Sequence, residues 1–425
     1  MGKKLGEFGK SLLIFLLAAT VLVLALLALP SKTLTSAAQF TALLKPFAGI
    51  LGISEAELTY TEPAPSGQIV GAAQPIAVSI CSPVGRQSFL YDDAVLDAAY
   101  EQLGSLLAQA LDTAAQPGLA SEKELFAALS AHSVYFRFPV ALAPQTLGVW
   151  LQSAAPEAAA SEQFVLALEE QTVCLYLPGS SITRYTTALP PETLSQALSR
   201  CVPDGSRFAF EDGAAAVKKI APLSLLPADA PALHTLSAAN PCDARYITSL
   251  AEKYGINPYG DARYVDDAGN TTFTEPGFSL TVSAQAEIVL RISDRNDGRF
   301  LCGSTDAARI EAARSMLEQI SGDLPGAARL YLTEYAPQED GAVCRFDYFC
   351  GGVPILLRSG AAAEVVFSGG GVRELRLSLR SFSLCDEIPL LLPASQAAAI
   401  APEAQRMELI YADSGQELLI PGWRG

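Results

Sequence analysis

The chain has 425 residues, half of them hydrophobic and 17 % charged, with a net charge of −16. That length is enough for two or three domains, and the apolar share exceeds what a disordered chain carries. The acidic balance repels phosphate backbones and argues against nucleic-acid binding.

The first elements are set by MGKKLGEFGKSLLIFLLAATVLVLALLALP. Lys3, Lys4 and Lys10 precede an uncharged run from Ser11 to Leu29. At about 1.5 Å per residue such a run nearly matches a hydrocarbon core of about 30 Å. A transmembrane helix is expected, with the N-terminus cytoplasmic and the rest of the chain outside. A cleaved signal peptide is the rival reading, although signal apolar regions are shorter, about 7–15 residues. Ala18, Ala25 and Ala28 are small positions near one face of this helix, where a second membrane helix can approach closely. The alternative is that Ala is simply abundant. GEFGKS lacks the earlier Gly of a phosphate-binding loop.

Residues 31–66 read as a stalk, with a short helix over AAQFTALLKPFAGILG and a Pro- and Gly-containing linker at TEPAPSGQ. PIAVSICS predicts a strand. YDDAVLDAAYEQLGSLLAQALDTAA predicts a helix capped by Asp92 or Asp93, with Val95, Ala99, Leu103, Leu106 and Leu107 as its apolar stripe. SEKELFAALSA predicts a second helix, with Ser121 and Glu124 at capping-box spacing. SVYFRFPVAL, QFVLALEE and TVCLYLPGSSITRYTTAL are strand-like, and PPETLSQALSRC opens a helix on its prolines.

NPCDARYITSLAEKYGINPY predicts a helix stopped by Gly255 and Pro258. The polar cluster that follows, with Asp261, Asp266, Asp267 and Asn270, reads as turns. Gly269 and Asn270 suit a tight hairpin between ARYV and TTFT. A calcium loop would need alternating acids and a closing Glu, and that spacing is not matched. SLTVSAQAEIVLRI adds two more strand halves.

A second unit begins near Cys302. STDAARIEAARSMLEQISG predicts a capped helix ending at Gly322, followed by an antiparallel meander with Gly-rich turns. Within it Leu375, Leu377 and Leu379 alternate with Arg376, Ser378 and Arg380, one buried face against one wet face. A short helix at PASQAAAIAP precedes the last hairpin, MELIYADSGQELLIPGW. The expected fold class is α+β: an N-terminal transmembrane helix followed by extracytoplasmic domains of mixed helix and antiparallel sheet.

No stretch points to catalysis. GxSxG, HExxH and CxxC patterns do not occur, and His132 and His234 are the two histidines. The acidic doublets Asp92–Asp93, Glu169–Glu170 and Asp266–Asp267 place neighbours on different faces, so they read as helix starts and solvated turns. Eight cysteines sit mostly in apolar runs, as buried thiols would, while their even count also permits disulfides. Cys344 and Cys350, six apart, would share one side of a strand or hairpin. No catalytic residue, metal ligand set or cofactor site is expected.

On three sets of residues the chain resembles the YycH/YycI regulatory proteins of Gram-positive bacteria. They are the helix-ending Asn257 and Pro258, the Gly-preceded strand Gly352, Val353, Pro354 and Ile355, and the terminal Pro421, Gly422 and Trp423. The resemblance implies a stub and anchor over 1–30 and the stalk over 31–66. A YycH-like α+β region would span 67–302, and a helix plus β-meander resembling YycI would span 303–425. It further implies a non-enzymatic protein at the cell membrane that modulates a sensor histidine kinase of cell-wall metabolism and pairs with another family member. The alternatives are an envelope module that binds glycan or peptide and, below it, a cryptic extracytoplasmic hydrolase.

Overall fold

The computed structural model describes residues 70–71, 74–294, 297–401 and 407–425. Its first layer is a seven-stranded antiparallel sheet in the order β3 (Gly85–Phe89), β2 (Ala77–Ser82), β5 (Ser133–Leu142), β6 (Ser161–Glu169), β7 (Thr172–Leu177), β8 (Ile182–Thr186) and β4 (Ala115–Ala120). The strand alternation feeds two cores. Val134, Phe136, Leu166 and Leu175 point to one face, and Tyr135, Val165, Cys174 and Tyr176 to the other.

Helix α1 (Asp93–Asp112) covers the first face, with α3 (Pro144–Trp150) and α4 (Pro191–Leu198) beside it. The second face takes α2 (Glu122–Leu129) and the antiparallel pair of β9 (Arg207–Phe208) and β10 (Leu225–Leu226). Asp92 caps α1 by accepting from the Ala94 and Val95 amides. Ser121 and Glu124 close the capping box of α2. The stripe of α1 is shifted from the expected one: Val95 is 44 % exposed and Leu96 is buried in its place. Leu96, Ala99, Leu103, Leu107 and Ala110 repeat at the three-to-four spacing of one helical face, and Val95 lies about 100° off it.

The second layer is a twelve-stranded sheet. Its main path runs β12 (Arg263–Val265), β13 (Thr271–Glu275), β14 (Phe278–Val282), β15 (Glu287–Ile292), β20 (Gly371–Ser378), β19 (Ala363–Ser368), β17 (Gly341–Cys350), β18 (Val353–Leu357), β22 (Glu408–Asp413) and β24 (Pro421–Arg424). Strand β17 is shared: its first half pairs with β19, its end with β18, and its other edge with β16 (Arg329–Gln338), which carries β1 (Val70–Gly71). Helices α5 (Ala244–Lys253) and α6 (Asp306–Ser321) pack Leu250, Ile310 and Leu317 into the same core as Leu280, Leu290 and Leu375.

The opposite face of this sheet carries a row in register across eight strands that is polar except at Val289. It runs Tyr264, Thr272, Thr281, Val289, Arg376, Glu364, Arg345 and Glu334. Arg345 binds Glu334 at 2.6 Å and Glu364 at 2.8 Å, so the row neutralises itself as a solvated face. A three-stranded sheet, β21 (Ser381–Leu384), β11 (Leu236–Ala239) and β23 (Leu418–Leu419), and the short α7 (Ala394–Ile400) complete the unit.

The expectation of an α+β fold behind a transmembrane helix is corrected. The described residues are sheet-rich, 38 % strand against 24 % helix. Among the described residues no helix is long and apolar enough to cross a membrane. The alternating segments pair across long sequence separations, as in β15 with β20, so the helices serve as covers on sheets. The run Ser11–Leu29, with Ala18, Ala25 and Ala28, and the expected helix over 37–52 lie outside the described residues.

The cysteines are free thiols. Cys344 and Cys350 both face the core from β17, and burial pushes each thiol up to about 12.

Candidate functional site

The two layers meet where the β17–β18 turn reaches the start of α1. Gly351 and Gly352 have φ of +60° and +74°. A Cβ on Gly351 would lie 2.5 Å from the Tyr91 carbonyl oxygen, and one on Gly352 would lie 2.6 Å from that of Ile76. Only glycine permits both the backbone and the approach. Tyr91 itself has φ +65°.

Three polar contacts hold this junction. The Gly351 amide donates to Asp93 Oδ2 at 2.9 Å. Arg329 grips Asp97 through both Nη atoms at 2.9 and 2.7 Å. Arg137 of β5 binds Glu408 of β22 at 2.8 Å. Burial raises the Asp93 carboxyl above the usual carboxylate range, against the lowering effect of the Gly351 amide and Arg329.

Beside the junction lies a cleft of about 250 Å3. Tyr91, Pro354 and Trp423 contribute to its walls, and Arg137, Glu162, Asp347 and Glu408 supply its charges. Of these, Arg137 is paired with Glu408. Asp347 is held by Thr333 Oγ1 at 2.8 Å and by the Ala362 amide at 3.1 Å. Apolar walls with fixed carboxylates suit recognition of a cationic group.

Trp423 connects this cleft to a second surface. Its Nε1 donates to the Leu392 carbonyl at 2.8 Å. Leu392 ends an extended segment after β21 in which Ile388, Leu390 and Leu392 are exposed and Leu391 is buried, the alternation of a strand-like chain. Leu390 is 98 % exposed. The Thr235 amide donates to Glu387 O at 2.8 Å and the Ala238 amide to Glu417 O at 2.7 Å, which anchors this segment and β23 along β11. Leu384, Leu418 and Ile420 are exposed on the same small sheet and its edge. The charged residues along it, Asp386, Glu387 and Glu417, are all exposed and acidic.

Of the residues singled out in the sequence, Gly352, Pro354 and Trp423 come together on the cleft, and Pro421 is buried in β24 opposite Tyr411. Asn257, Pro258 and Gly269 lie elsewhere, after α5 and around the β12–β13 turn. Asn257 Oδ1 accepts from the Tyr259 amide. Gly269 has φ +83°, and Asp266 accepts from the Ala268 and Asn270 amides and from Asn270 Nδ2.

The acidic doublets do not converge. Asp92 caps α1, Glu169 binds Tyr176 and Arg184, and Asp266 organises its own turn. His234 Nδ1 is tied to the Cys385 carbonyl at 2.7 Å, and His132 precedes β5. Among the described residues no group of three or more His, Cys, Asp or Glu is placed to hold a metal ion.

Sequence reasoning missed Arg137, Glu408 and the 388–392 segment. Two signals were present: a lone Arg inside the apolar strand SVYFRFPVAL, and the run DEIPLLLP, apolar yet opened by two acids.

No protein-family model, curated protein or solved structure matches the chain.

Proposed function

We propose that this protein is a non-enzymatic regulator or scaffold that works at the outer face of the cell membrane by docking another protein. The observation that carries this reading is the segment Ile388–Leu392, in which Ile388, Leu390 and Leu392 are exposed. Clustered exposed apolar side chains rimmed by polar residues mark interaction surfaces, whereas single ones do not. The resemblance at Asn257–Pro258, Gly352–Ile355 and Pro421–Trp423 supports a sensor histidine kinase of cell-wall metabolism, or a paired regulator, as the partner. The inter-sheet cleft favours a second reading, an envelope module that binds a small cationic peptide.

The test is recovery of the full-length protein in detergent, with bound proteins identified by mass spectrometry. A histidine kinase recovered with the native chain and lost with Leu390→Asp supports docking through this surface. Recovery of the same partners with both chains overturns it.

A further inference from the structure

Strand β12 ends the twelve-stranded sheet on one side, and all three of its residues are exposed. The Asp266 amide donates to the Asn270 carbonyl at 3.1 Å and the Thr274 amide to the Ala262 carbonyl at 3.0 Å, so the even-numbered residues bond towards β13. By the alternation of an antiparallel ladder, Arg263 and Val265 turn their backbone groups away from the sheet. The Arg263 amide closes locally on the Gly260 carbonyl at 3.3 Å. The Val265 amide and the Arg263 carbonyl are left to an outside partner. We infer that this partner is the β12 of a second copy of the chain, laid antiparallel, so that each Val265 amide donates to the Arg263 carbonyl of the other copy. The contact uses no residue of the docking segment at 388–392 and stands independently of it.

The other outer strands of the two large sheets carry protection of the kinds that keep edges from pairing. β3 is met by Asp204, which accepts from the Ser88 amide at 2.7 Å and donates its own amide to the Arg86 carbonyl at 3.0 Å. β4 contains Pro117 and a register shift between Ala115 and Gly118. β16 is met by β1, and β24 opens on Pro421, which has no amide. β12 has no proline, and among the described residues nothing covers its outer side. Its side chains also match themselves about a two-fold axis. Arg263 and Asp267 are exposed, and among the described residues neither has an ionic partner. With Val265 opposite Arg263, each Arg263 lies diagonal to the Asp267 of the other copy, a separation that a long side chain spans. Tyr264, 66 % exposed, meets its own counterpart across the axis as an aromatic pair. A foreign strand of one charge sign would leave either Arg263 or Asp267 unmatched. Three residues supply few bonds, so the expected dimer is weak and reversible.

The test is sedimentation velocity of the full-length protein in density-matched detergent, over a concentration series. A reversible dimer is expected. Val265→Pro removes the outward amide without touching the β12–β13 ladder and should weaken association about tenfold or more. Arg263→Glu and Asp267→Arg should each weaken it, and the double variant should restore it. Tyr264→Cys should give an interchain disulfide with oxidised glutathione, because facing residues of a non-bonded pair lie about 4.5 Å apart at Cα. Val265→Cys, about 9 Å from its counterpart in this register, should not. The native chain, with its eight free thiols, sets the background. A chain that stays monomeric up to about 0.1 mM overturns the inference. A dimer unchanged in Val265→Pro and in both single charge variants overturns it as well, because association then runs through another surface. Where Val265→Pro fails to fold, the charge exchange decides. Two weakened single variants with a restored double variant support the pairing, and a double variant no better than the singles overturns it.

Discussion

Arg137 Nη2 donates to Glu408 Oε1 at 2.8 Å, joining the two sheets through residues 271 positions apart. Both side chains are partly exposed. The pair therefore orients the layers more than it stabilises them. A double-mutant cycle of Arg137→Met and Glu408→Gln, read by urea unfolding, is expected to give a coupling of about 1 kcal/mol. Additive effects of the two substitutions would remove this pair from the account of the junction.

Gly352 makes a sharper demand. Gly352→Ala places a Cβ 2.6 Å from the Ile76 carbonyl oxygen at φ +74°. The expected cost is about 2 kcal/mol or more, from strain plus the displaced backbone. Gly370→Ala is the control: φ is +81°, but nothing lies within 4 Å of its Cβ. It should cost only the left-handed strain, about 1 kcal/mol. Equal losses in denaturant titrations would show that the sheets do not need the close approach.

Asp93 predicts a pH dependence of unusual sign. Burial raises its folded pKa, so between the unfolded and folded values the native state binds more proton. Its contribution favours folding below the unfolded pKa and turns unfavourable as pH rises through the folded one. Asp93→Asn keeps an acceptor for the Gly351 amide and removes the titration. The variant should therefore gain thermal stability relative to the native chain as pH rises from about 4 to 7. A constant difference across that range would contradict the assignment.

The β12–β13 turn shows the opposite sign. The Asn270 side chain and amide hold Asp266 below the usual carboxylate range. Its contribution is present above the unfolded pKa and lost as pH falls through the depressed folded one. Asp266→Ala should lower the unfolding midpoint at neutral pH, with the deficit shrinking in acid below about pH 4. Gly269→Val, at φ +83°, should destabilise by about 1 kcal/mol or more at every pH. A pH-independent deficit in Asp266→Ala would mean that its charge does not order the turn.

Leu390→Asp separates folding from docking. The side chain is 98 % exposed, so stability should change by no more than about 0.5 kcal/mol. Partner recovery should fall while the melting midpoint stays in place. A large drop in the midpoint would place Leu390 in the fold rather than on its surface.

By itself the sequence determined the features that depend on a few neighbouring residues. Ser121 and Glu124 close their capping box, Asp92 caps α1, and the residues around Gly269 turn between β12 and β13. Leu375, Leu377 and Leu379 are all buried, as their alternation demands. These outcomes follow from local hydrogen bonds and side-chain period, and the competing conformations are visible in the same short window. Which row of strands faces solvent, which glycine meets which carbonyl, and that Arg137 and Trp423 share a cleft with Glu408 were decided only by tertiary structure. Strand partners far apart in sequence are selected by the whole core they bury together. Moving one register position would turn every side chain of a strand to the opposite face. The polar row across eight strands is a product of that collective choice, and no local propensity encodes it.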